Sequence, residues 1–174
     1  MSLAKALKPL KLVKVALDAG SKAKNRYPFG ATLVTESFRG AISIDPAKCI
    51  GCGACVLVCP PNALTLRIEE NELNLEYFKG RCIFCGMCAD TCPKRAIEVT
   101  KEFELASLDL EDLKEVVVHK LFRCDSCGRY FTTEAMIRDV VSKVPNAREY
   151  LNLCSDCRKK RFFKALALRF GAPS

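Results

Sequence analysis

The sequence lacks long apolar segments, tryptophan and glutamine, and it has a single histidine, His119. No stretch approaches the roughly 20 apolar residues that a membrane-spanning helix needs. Lysines interrupt the N-terminal segment every few residues, so no secretory signal peptide is recognisable there. The residues also offer no recognisable catalytic constellation. We therefore predict a chain without a transmembrane helix or a signal peptide that lies in the cytoplasm.

Cysteine, by contrast, is abundant, with 12 residues in a chain of 174. Every cysteine belongs to a Cys-x-x-Cys or Cys-x-x-x-Cys spacing. A framework of disulfides is the alternative, but it is typical of secreted chains with a signal peptide. In the cytoplasm, thiols stay reduced and available to metals. The cysteines therefore indicate metal binding rather than disulfide bonds.

Eight of these cysteines form two copies of one pattern. The first copy is Cys49-x-x-Cys52-x-x-Cys55-x-x-x-Cys59-Pro60, and the second repeats it 33 residues later, as Cys82, Cys85, Cys88, Cys92 and Pro93. The repeat predicts a pseudo-twofold unit. Each half would have a cysteine loop, a short helix through the fourth cysteine and a following strand. Segments 64–68 and 73–77 alternate in polarity around a polar turn and predict a hairpin between the halves.

The pattern resembles the ligand runs of bacterial two-cluster ferredoxins, in which the fourth cysteine of each run serves the other cluster. The resemblance implies a first [4Fe–4S] cluster held by Cys49, Cys52, Cys55 and Cys92. It implies a second [4Fe–4S] cluster held by Cys82, Cys85, Cys88 and Cys59. Four protein ligands leave no iron open to a substrate, which favours electron transfer over an enzyme that acts alone. Two zinc sites are the alternative use of these cysteines.

The remaining cysteines form two knuckles that are separated by 26 residues, Cys124-x-x-Cys127 and Cys154-x-x-Cys157. Such a pair predicts a tetrahedral Cys₄ site, usually for structural zinc. A rubredoxin-like iron and a third iron–sulfur cluster are the alternatives. Between the knuckles, Thr133 is expected to cap a helix with an apolar stripe, formed by Ile137, Val140, Val141 and Val144. We expect His119 to be a surface or packing residue rather than a metal ligand.

The formal charge of +8 is uneven, because residues 1–26 hold seven basic residues and one acid, a net charge of +6. Apolar residues recur there at helical spacing, at Leu3, Leu7, Leu10, Val13 and Leu17. Such an amphipathic arm can contact a membrane surface or a partner subunit, or it can pack on its own domain. A second basic run, Arg158-Lys159-Lys160-Arg161, indicates an anionic partner or a solvated helix face.

These patterns predict an α+β chain with four regions. Residues 1–35 form a basic amphipathic N-terminal arm, and residues 36–100 a duplicated 2[4Fe–4S] ferredoxin-like domain of the bacterial type. Residues 101–121 form a connector. Residues 122–174 form a Cys₄ metal-binding, zinc-ribbon-like module with a helical tail.

The whole chain resembles the two-cluster ferredoxin-type subunit of formate hydrogenlyase and related membrane-bound [NiFe] hydrogenases, which is itself similar to a subunit of respiratory complex I. The resemblance lies in the duplicated runs and in three short segments: Ser37-Phe38-Arg39-Gly40, Cys82-Ile83-Phe84-Cys85-Gly86 and Glu102-Phe103-Glu104-Leu105-Ala106. The paired knuckles are more similar to the formate hydrogenlyase branch than to complex I.

The resemblance implies an electron relay between a peripheral donor and a catalytic [NiFe] subunit. Its partners would be other subunits of the complex, among them a [NiFe] large subunit and a small iron–sulfur subunit. The protein would be peripheral, on the cytoplasmic side of the membrane, with the N-terminal arm near the membrane domain. The alternatives are a subunit of a complex I-like oxidoreductase with another substrate, a freestanding ferredoxin, and a nucleic-acid-binding module that uses the basic knuckle; we do not expect nucleic acid as a partner.

Overall fold

The computed structural model describes residues 8–19 and 34–170, which belong to two units, residues 1–38 and residues 39–174. In the first unit, helix α1 (Lys8–Ala19) has Pro9 in its first turn, where a missing N–H is tolerated. Leu12 and Leu17 of α1 are exposed. The amphipathic arm stays a prediction, because Leu3 and Leu7 lie outside the described residues. No helix in the described ranges combines the length and the apolar character needed to cross a membrane.

The described part of the second unit contains two antiparallel sheets and several short helices. Its strands are β1 (Ile42–Ile44), β2 (Leu64–Glu69), β3 (Glu72–Phe78), β4 (Ile97–Val99), β5 (Lys114–Arg123) and β6 (Tyr130–Thr133). Its α-helices are α2 (Ala54–Leu57), α3 (Met87–Thr91), α4 (Glu134–Lys143), α5 (Arg148–Leu151) and α6 (Ser155–Phe170). Single 3₁₀ turns cover Lys79–Arg81, Leu110–Leu113 and Pro145–Ala147. This mixture of helices and strands confirms the α+β class.

The two-stranded sheet joins the beginning of the duplicated segment to its end. Strand β1 precedes the first cysteine run, β4 follows the second, and Ile44 is paired with Ile97. The N–H of Gly40 donates to the carbonyl of Thr100 at 2.8 Å, which continues the pairing beyond the sheet. A Cβ on Gly40 would lie 2.1 Å from the carbonyl oxygen of Glu102, so only glycine permits this approach. The sheet therefore holds the start of the first half next to the end of the second half.

The four-stranded sheet has the order β2-β3-β5-β6 and covers one side of the duplicated segment. Strands β2 and β3 form the predicted hairpin, with Leu64 opposite Tyr77. Alternate residues of β3 are buried, namely Leu73, Leu75 and Tyr77, as expected for a strand with one face on a core. Leu75 and Tyr77 belong to one apolar core with Cys55 and Cys88, so this face packs against both cysteine runs.

The segment 101–121, which we predicted to be a connector, contains most of the longest strand in the described residues. Strand β5 pairs with β3 along the whole of β3, from Glu72 opposite Lys120 to Phe78 opposite Lys114. Val117 and His119 of β5 are buried, whereas Val116 and Val118 are exposed. This alternation is the strand signal that the connector interpretation overlooked. The sheet therefore extends continuously from the ferredoxin-like core into the C-terminal module.

Helix α4 begins as the sequence predicted. The Thr133 hydroxyl accepts a hydrogen bond from the N–H of Met136 at 3.2 Å and caps the helix. Of the predicted stripe, Ile137 and Val141 are half-buried, but Val144 is exposed because it lies beyond the last helical residue. Helix α6, which carries the basic run, is exposed over most of its length.

The C-terminal module contacts the first cysteine run directly. Besides capping α4, the Thr133 hydroxyl donates a hydrogen bond to the carbonyl of Ile50 at 2.6 Å. Lys94, which follows the second run, forms an ion pair with Asp139 of α4. Asp139 also pairs with Lys143, and hydrogen bonding to Lys94 lowers the pKa of the Asp139 carboxyl. These contacts hold β6 and α4 against the loop that begins the first run.

Candidate cluster and metal sites

Two cavities lie within the duplicated segment, and each gathers four cysteines. The first is lined by Cys49, Cys52, Cys55 and Cys92, with Leu75 and Ile97 among its apolar walls. The second is lined by Cys82, Cys85, Cys88 and Cys59, with Leu64 and Tyr77 among its walls. Each cavity thus combines three cysteines of one run with the last cysteine of the other.

The last cysteine of each run lines the cavity of the other run, and a short helix precedes it in the chain. Helices α2 and α3 carry the third cysteines, Cys55 and Cys88, and both helices end before the fourth. The prediction of a helix through the fourth cysteine was therefore too long by at least one residue. Cys59 and Cys92 instead lie in the following turns, from which each sulfur faces the other half of the repeat.

Backbone N–H groups point at the sulfur atoms in both halves. The N–H of Ala63 donates to Cys59 Sγ at 3.3 Å, and the N–H of Ala96 donates to Cys92 Sγ at the same distance. The N–H of Phe84 donates to Cys82 Sγ at 3.4 Å. Hydrogen bonds of this kind stabilise negative charge on sulfur and influence the potential of an iron–sulfur centre. The cavities thus present thiols, sulfur-directed donors and apolar walls, which is a chemistry that fits a [4Fe–4S] cluster.

The backbone repeats its unusual conformations at the spacing of the sequence repeat. Three pairs of residues 33 positions apart have positive φ: Gly51 (68°) and Phe84 (55°), Gly53 (76°) and Gly86 (80°), and Asn62 (51°) and Arg95 (48°). Left-handed residues let a loop turn tightly enough to present several groups to one point. A phenylalanine in this conformation is unusual, and the sequence alone did not reveal it.

Gly51 and Phe84, which are equivalent positions of the repeat, have different surroundings. A Cβ on Gly51 would lie 2.8 Å from Thr133 Cγ2 and 3.1 Å from His119 Cδ2, so the C-terminal module occupies the space that a side chain would need. Phe84 keeps its side chain, which is half-buried. The first cysteine loop is therefore covered by strands β5 and β6, whereas the second loop carries its own aromatic residue.

Burial makes the central thiols of both runs poor acids in the absence of a metal. Burial raises the pKa of Cys55 to about 12 and that of Cys88 to about 11. A thiol with such a pKa keeps its proton at neutral pH, unless a cation binds the sulfur and displaces the proton. These cysteines are thus suited to a stable metal–sulfur bond and not to reaction as free nucleophiles.

The four remaining cysteines form a separate cluster in the C-terminal module. The Sγ atoms of Cys124, Cys127, Cys154 and Cys157 all lie within 4.8 Å of one another. Cys127 Sγ and Cys154 Sγ are 3.7 Å apart. A single zinc ion with Zn–S bonds of about 2.3 Å places its sulfur ligands about 3.8 Å apart. The spacing therefore suits one tetrahedral metal ion.

Donors near Cys124 and Cys154 lower the pKa of these two thiols and favour their thiolate form. The N–H of Cys154 donates to Cys124 Sγ at 3.3 Å. A hydrogen bond from the backbone of Cys157, together with one from Arg129 to Cys154 Sγ at 3.6 Å, lowers the pKa of Cys154 to about 6. Arg129 also pairs with Asp156, and no local sequence pattern indicated either contact. A thiolate is the form that binds a metal ion, so these donors support metal binding.

His119 lies on β5, where it is only 6% exposed. It is not among the residues that form the Cys₄ cluster, and it packs on Gly51 of the first cysteine loop. Tyr77 is another buried polar residue beside a cysteine loop, and its hydroxyl accepts a hydrogen bond from the N–H of Ile42 at 3.4 Å. The positions of both residues follow from strand alternation, once β3 and β5 are recognised as neighbours.

The duplicated fold, with its two cysteine-lined cavities, defines a two-cluster iron–sulfur protein. In agreement, two families that are both described as 4Fe-4S dicluster domains match residues 41–93 and 81–131. Together these matches support two [4Fe–4S] clusters in the chain.

Similarity to known proteins assigns the chain to a family among the two-cluster iron–sulfur proteins. The chain is 38% identical to formate hydrogenlyase subunit 6 of Escherichia coli K12 over 159 residues, which cover 86% of this chain and 88% of the relative. It is 42% identical over 95 residues to the chloroplastic NAD(P)H-quinone oxidoreductase subunit I of Dioscorea elephantipes, covering 51% of this chain and 53% of the relative. A chain of an archaeal membrane-bound sulfane sulfur reductase is 27% identical, with a TM-score of 0.44 and coverage of 62% of this chain and 58% of that chain.

The protein belongs to the family of 4Fe-4S dicluster subunits that includes formate hydrogenlyase subunit 6, and it is related to subunit I of the complex I type. Members of this family are electron-transfer subunits of multi-subunit oxidoreductases and are not catalysts by themselves. The chain is accordingly an electron-relay iron–sulfur subunit.

Substitution of Gly51 tests the packing over the first cysteine loop. Gly51→Ala forces an alanine into a left-handed conformation, which costs about 1–2 kcal/mol, and places its Cβ 2.8 Å from Thr133 Cγ2. Gly86→Ala is the matched control, because its φ is similar but its Cβ would lie 3.5 Å from the nearest atom, on Val99. We expect the alanine at position 51 to lower the unfolding temperature more, as measured anaerobically by circular dichroism. Equal losses would contradict the close packing of the C-terminal module on Gly51.

Proposed function

We propose that this chain passes electrons between a peripheral donor and the catalytic [NiFe] subunit of a membrane-associated hydrogenase, in a complex of the formate hydrogenlyase or a related energy-converting type. The extent of the match to formate hydrogenlyase subunit 6 carries this proposal. It covers 86% of the chain, which is more than residues 1–121 can accommodate, so it extends into the C-terminal module. The 95-residue match to subunit I of the complex I type covers only half of the chain.

The first cavity would hold one cluster through Cys49, Cys52, Cys55 and Cys92, and the second would hold another through Cys82, Cys85, Cys88 and Cys59. The grouping of these residues around two cavities supports the assignment. A bound cluster of this kind takes up and releases one electron at a time. The protein shields the inner side of both sites from water, because Cys55, Cys88 and the surrounding aliphatic residues belong to a single buried core. This shared core favours electron transfer between the two sites within one chain.

A pair of cysteine substitutions tests the crossed assignment. Cys92→Ser is expected to damage the cluster held by the first run, although Cys92 belongs to the second run. Cys59→Ser is the matched variant and is expected to damage the other cluster. EPR spectra of the reduced variants, compared with the unaltered protein, show which signal each change removes. If each substitution removed the cluster of its own run, the crossed assignment would be wrong.

The Cys₄ cluster would hold a structural zinc ion, because its sulfur spacing suits a single tetrahedral ion and no exchangeable position remains. The expected metal content is one zinc per chain, in addition to the iron of the clusters. Cys127→Ser should lose the zinc and loosen the C-terminal module while both clusters remain, because no proposed cluster ligand lies in that module. Elemental analysis and EPR of this variant provide the measurement. A lost EPR signal, or iron in place of zinc, would contradict the assignment.

The partners would be the other subunits of the host complex, including a [NiFe] large subunit and a small iron–sulfur subunit. The chain would be peripheral, on the cytoplasmic side of the membrane. Support for membrane contact comes from the basic N-terminal arm, whose helix α1 contains Lys8, Lys11 and Lys14 and exposes Leu12 and Leu17. Helices with apolar and lysine-rich faces lie in the membrane interface. Nucleic acid is not proposed as a partner.

Purification of the native complex tests the function directly. An affinity tag on this chain, with mild detergent extraction of the membranes, should recover a large assembly that contains a [NiFe] large subunit. Recovery of the chain alone would indicate a freestanding ferredoxin. Recovery with quinone-reducing subunits would favour a complex I-like oxidoreductase, which the 42% identity over the cluster core makes the second candidate. Either result would overturn the hydrogenase proposal.

A further inference from the structure

His119 is a buried polar residue whose role the electron-relay function does not yet explain. It is 6% exposed and lies on the same face of β5 as the buried residues Val117 and Leu121. Its Nε2 atom is fully buried and has no hydrogen-bond partner in residues 8–19 and 34–170. A buried polar atom without a partner destabilises the folded state, because its hydrogen bond to water is lost and not replaced. A histidine at this position therefore destabilises the folded state, whereas an aliphatic residue would leave no polar atom unpaired.

The imidazole ring lies on the cysteine loop of the first cavity. Its Cδ2 and Cγ atoms are 3.1 and 3.2 Å from the position that a Cβ on Gly51 would occupy. Gly51 lines the first cavity and lies between Cys49 and Cys52. Because Nε2 is bonded to Cδ2 within the ring, the unpaired nitrogen also lies beside this loop.

The neighbouring protein groups do not satisfy this nitrogen. The hydroxyl of Thr133, which also packs on Gly51, is already engaged with the carbonyl of Ile50 and the N–H of Met136. Burial lowers the pKa of His119, so the ring is neutral and carries one N–H donor. A neutral donor in an apolar, cysteine-rich setting is suited to a sulfur acceptor.

We propose that His119 donates a hydrogen bond from Nε2 to a sulfur atom of the first cluster and thereby raises the reduction potential of that cluster. The acceptor would be an inorganic sulfide of the cluster, because no cysteine sulfur in the described residues accepts a hydrogen bond from Nε2. A donor stabilises the more negative, reduced state of the cluster, so it makes reduction easier. The proposal rests on the assignment of Cys49, Cys52, Cys55 and Cys92 to one cluster.

The proposed hydrogen bond is expected at the first cluster and not at the second. The position equivalent to Gly51 is Phe84, which carries a half-buried side chain of its own, whereas His119 and Thr133 pack on Gly51. The polar residue of the sheet at the second cavity is Tyr77, on β3. Burial and hydrogen bonding to Cys82 raise the pKa of its hydroxyl, which therefore stays protonated. Substitution of Tyr77 is a matched control that acts on the other cluster.

The test compares the midpoint potentials of both clusters in the full-length protein, by EPR-monitored redox titration. His119→Phe keeps a ring and removes the donor, and it should make the first cluster about tenfold harder to reduce, a shift of about 59 mV for one electron. His119→Gln retains an N–H donor and should recover part of the shift. Tyr77→Phe should leave the first cluster unchanged. An unaltered first-cluster potential in His119→Phe, or an equal shift of both clusters, would overturn the proposal.

If His119→Phe fails to retain its clusters, a second measurement tests the hydrogen bond between His119 and the first cluster. In otherwise unaltered protein with ¹⁵N-labelled histidine, pulsed EPR should detect a nitrogen coupling to the first cluster and none to the second. Since His119 is the only histidine in the sequence, the signal has a unique assignment. Absence of this coupling in a protein that shows both cluster signals would refute the hydrogen bond. Absence of the cluster signals themselves would instead refute the proposed function.

Discussion

The exchange of one cysteine between the two halves of the duplicated segment is the constraint on which this structure depends. Cys59 and Cys92 leave their own runs and line the cavity of the opposite half. Neither half can then complete its site alone, and the pairing of β1 with β4 closes the same two halves through the backbone. Cluster binding and folding are thereby coupled, because each four-cysteine site exists only when the two halves are folded together.

The surroundings break the symmetry of this duplicated core. Strand β5 extends the hairpin sheet, and through β6 and α4 the C-terminal module packs on the first cysteine loop. The second loop carries Phe84 at the position equivalent to Gly51. Two sites with the same ligand pattern therefore have different environments. In an electron relay, such a difference can give the two sites different potentials, which determines where an electron resides between transfers.

The sequence predicted those structural features whose signal lies in neighbouring residues. Alternation predicted the β2–β3 hairpin, and Thr133 was recognised as a helix cap. The grouping of the eight cysteines into two ligand sets came from the resemblance to two-cluster ferredoxins, and the same groups line the two cavities. Strand β5 was missed because its pairing with β3 joins segments about 40 residues apart, and its charged residues resemble those of a linker. The burial of His119 and the need for glycine at position 51 follow from that long-range pairing. The left-handed conformation of Phe84 has no local sequence signal.

Anomalous diffraction at the iron edge, from crystals of anaerobically purified protein, shows whether the two runs exchange their fourth cysteines. We expect two iron clusters in separate cavities, one bonded to Cys92 together with the first three cysteines of the sequence, and the other bonded to Cys59 together with Cys82, Cys85 and Cys88. Iron density that joined Cys59 to the cluster of its own run, or zinc in place of iron in these cavities, would contradict this expectation.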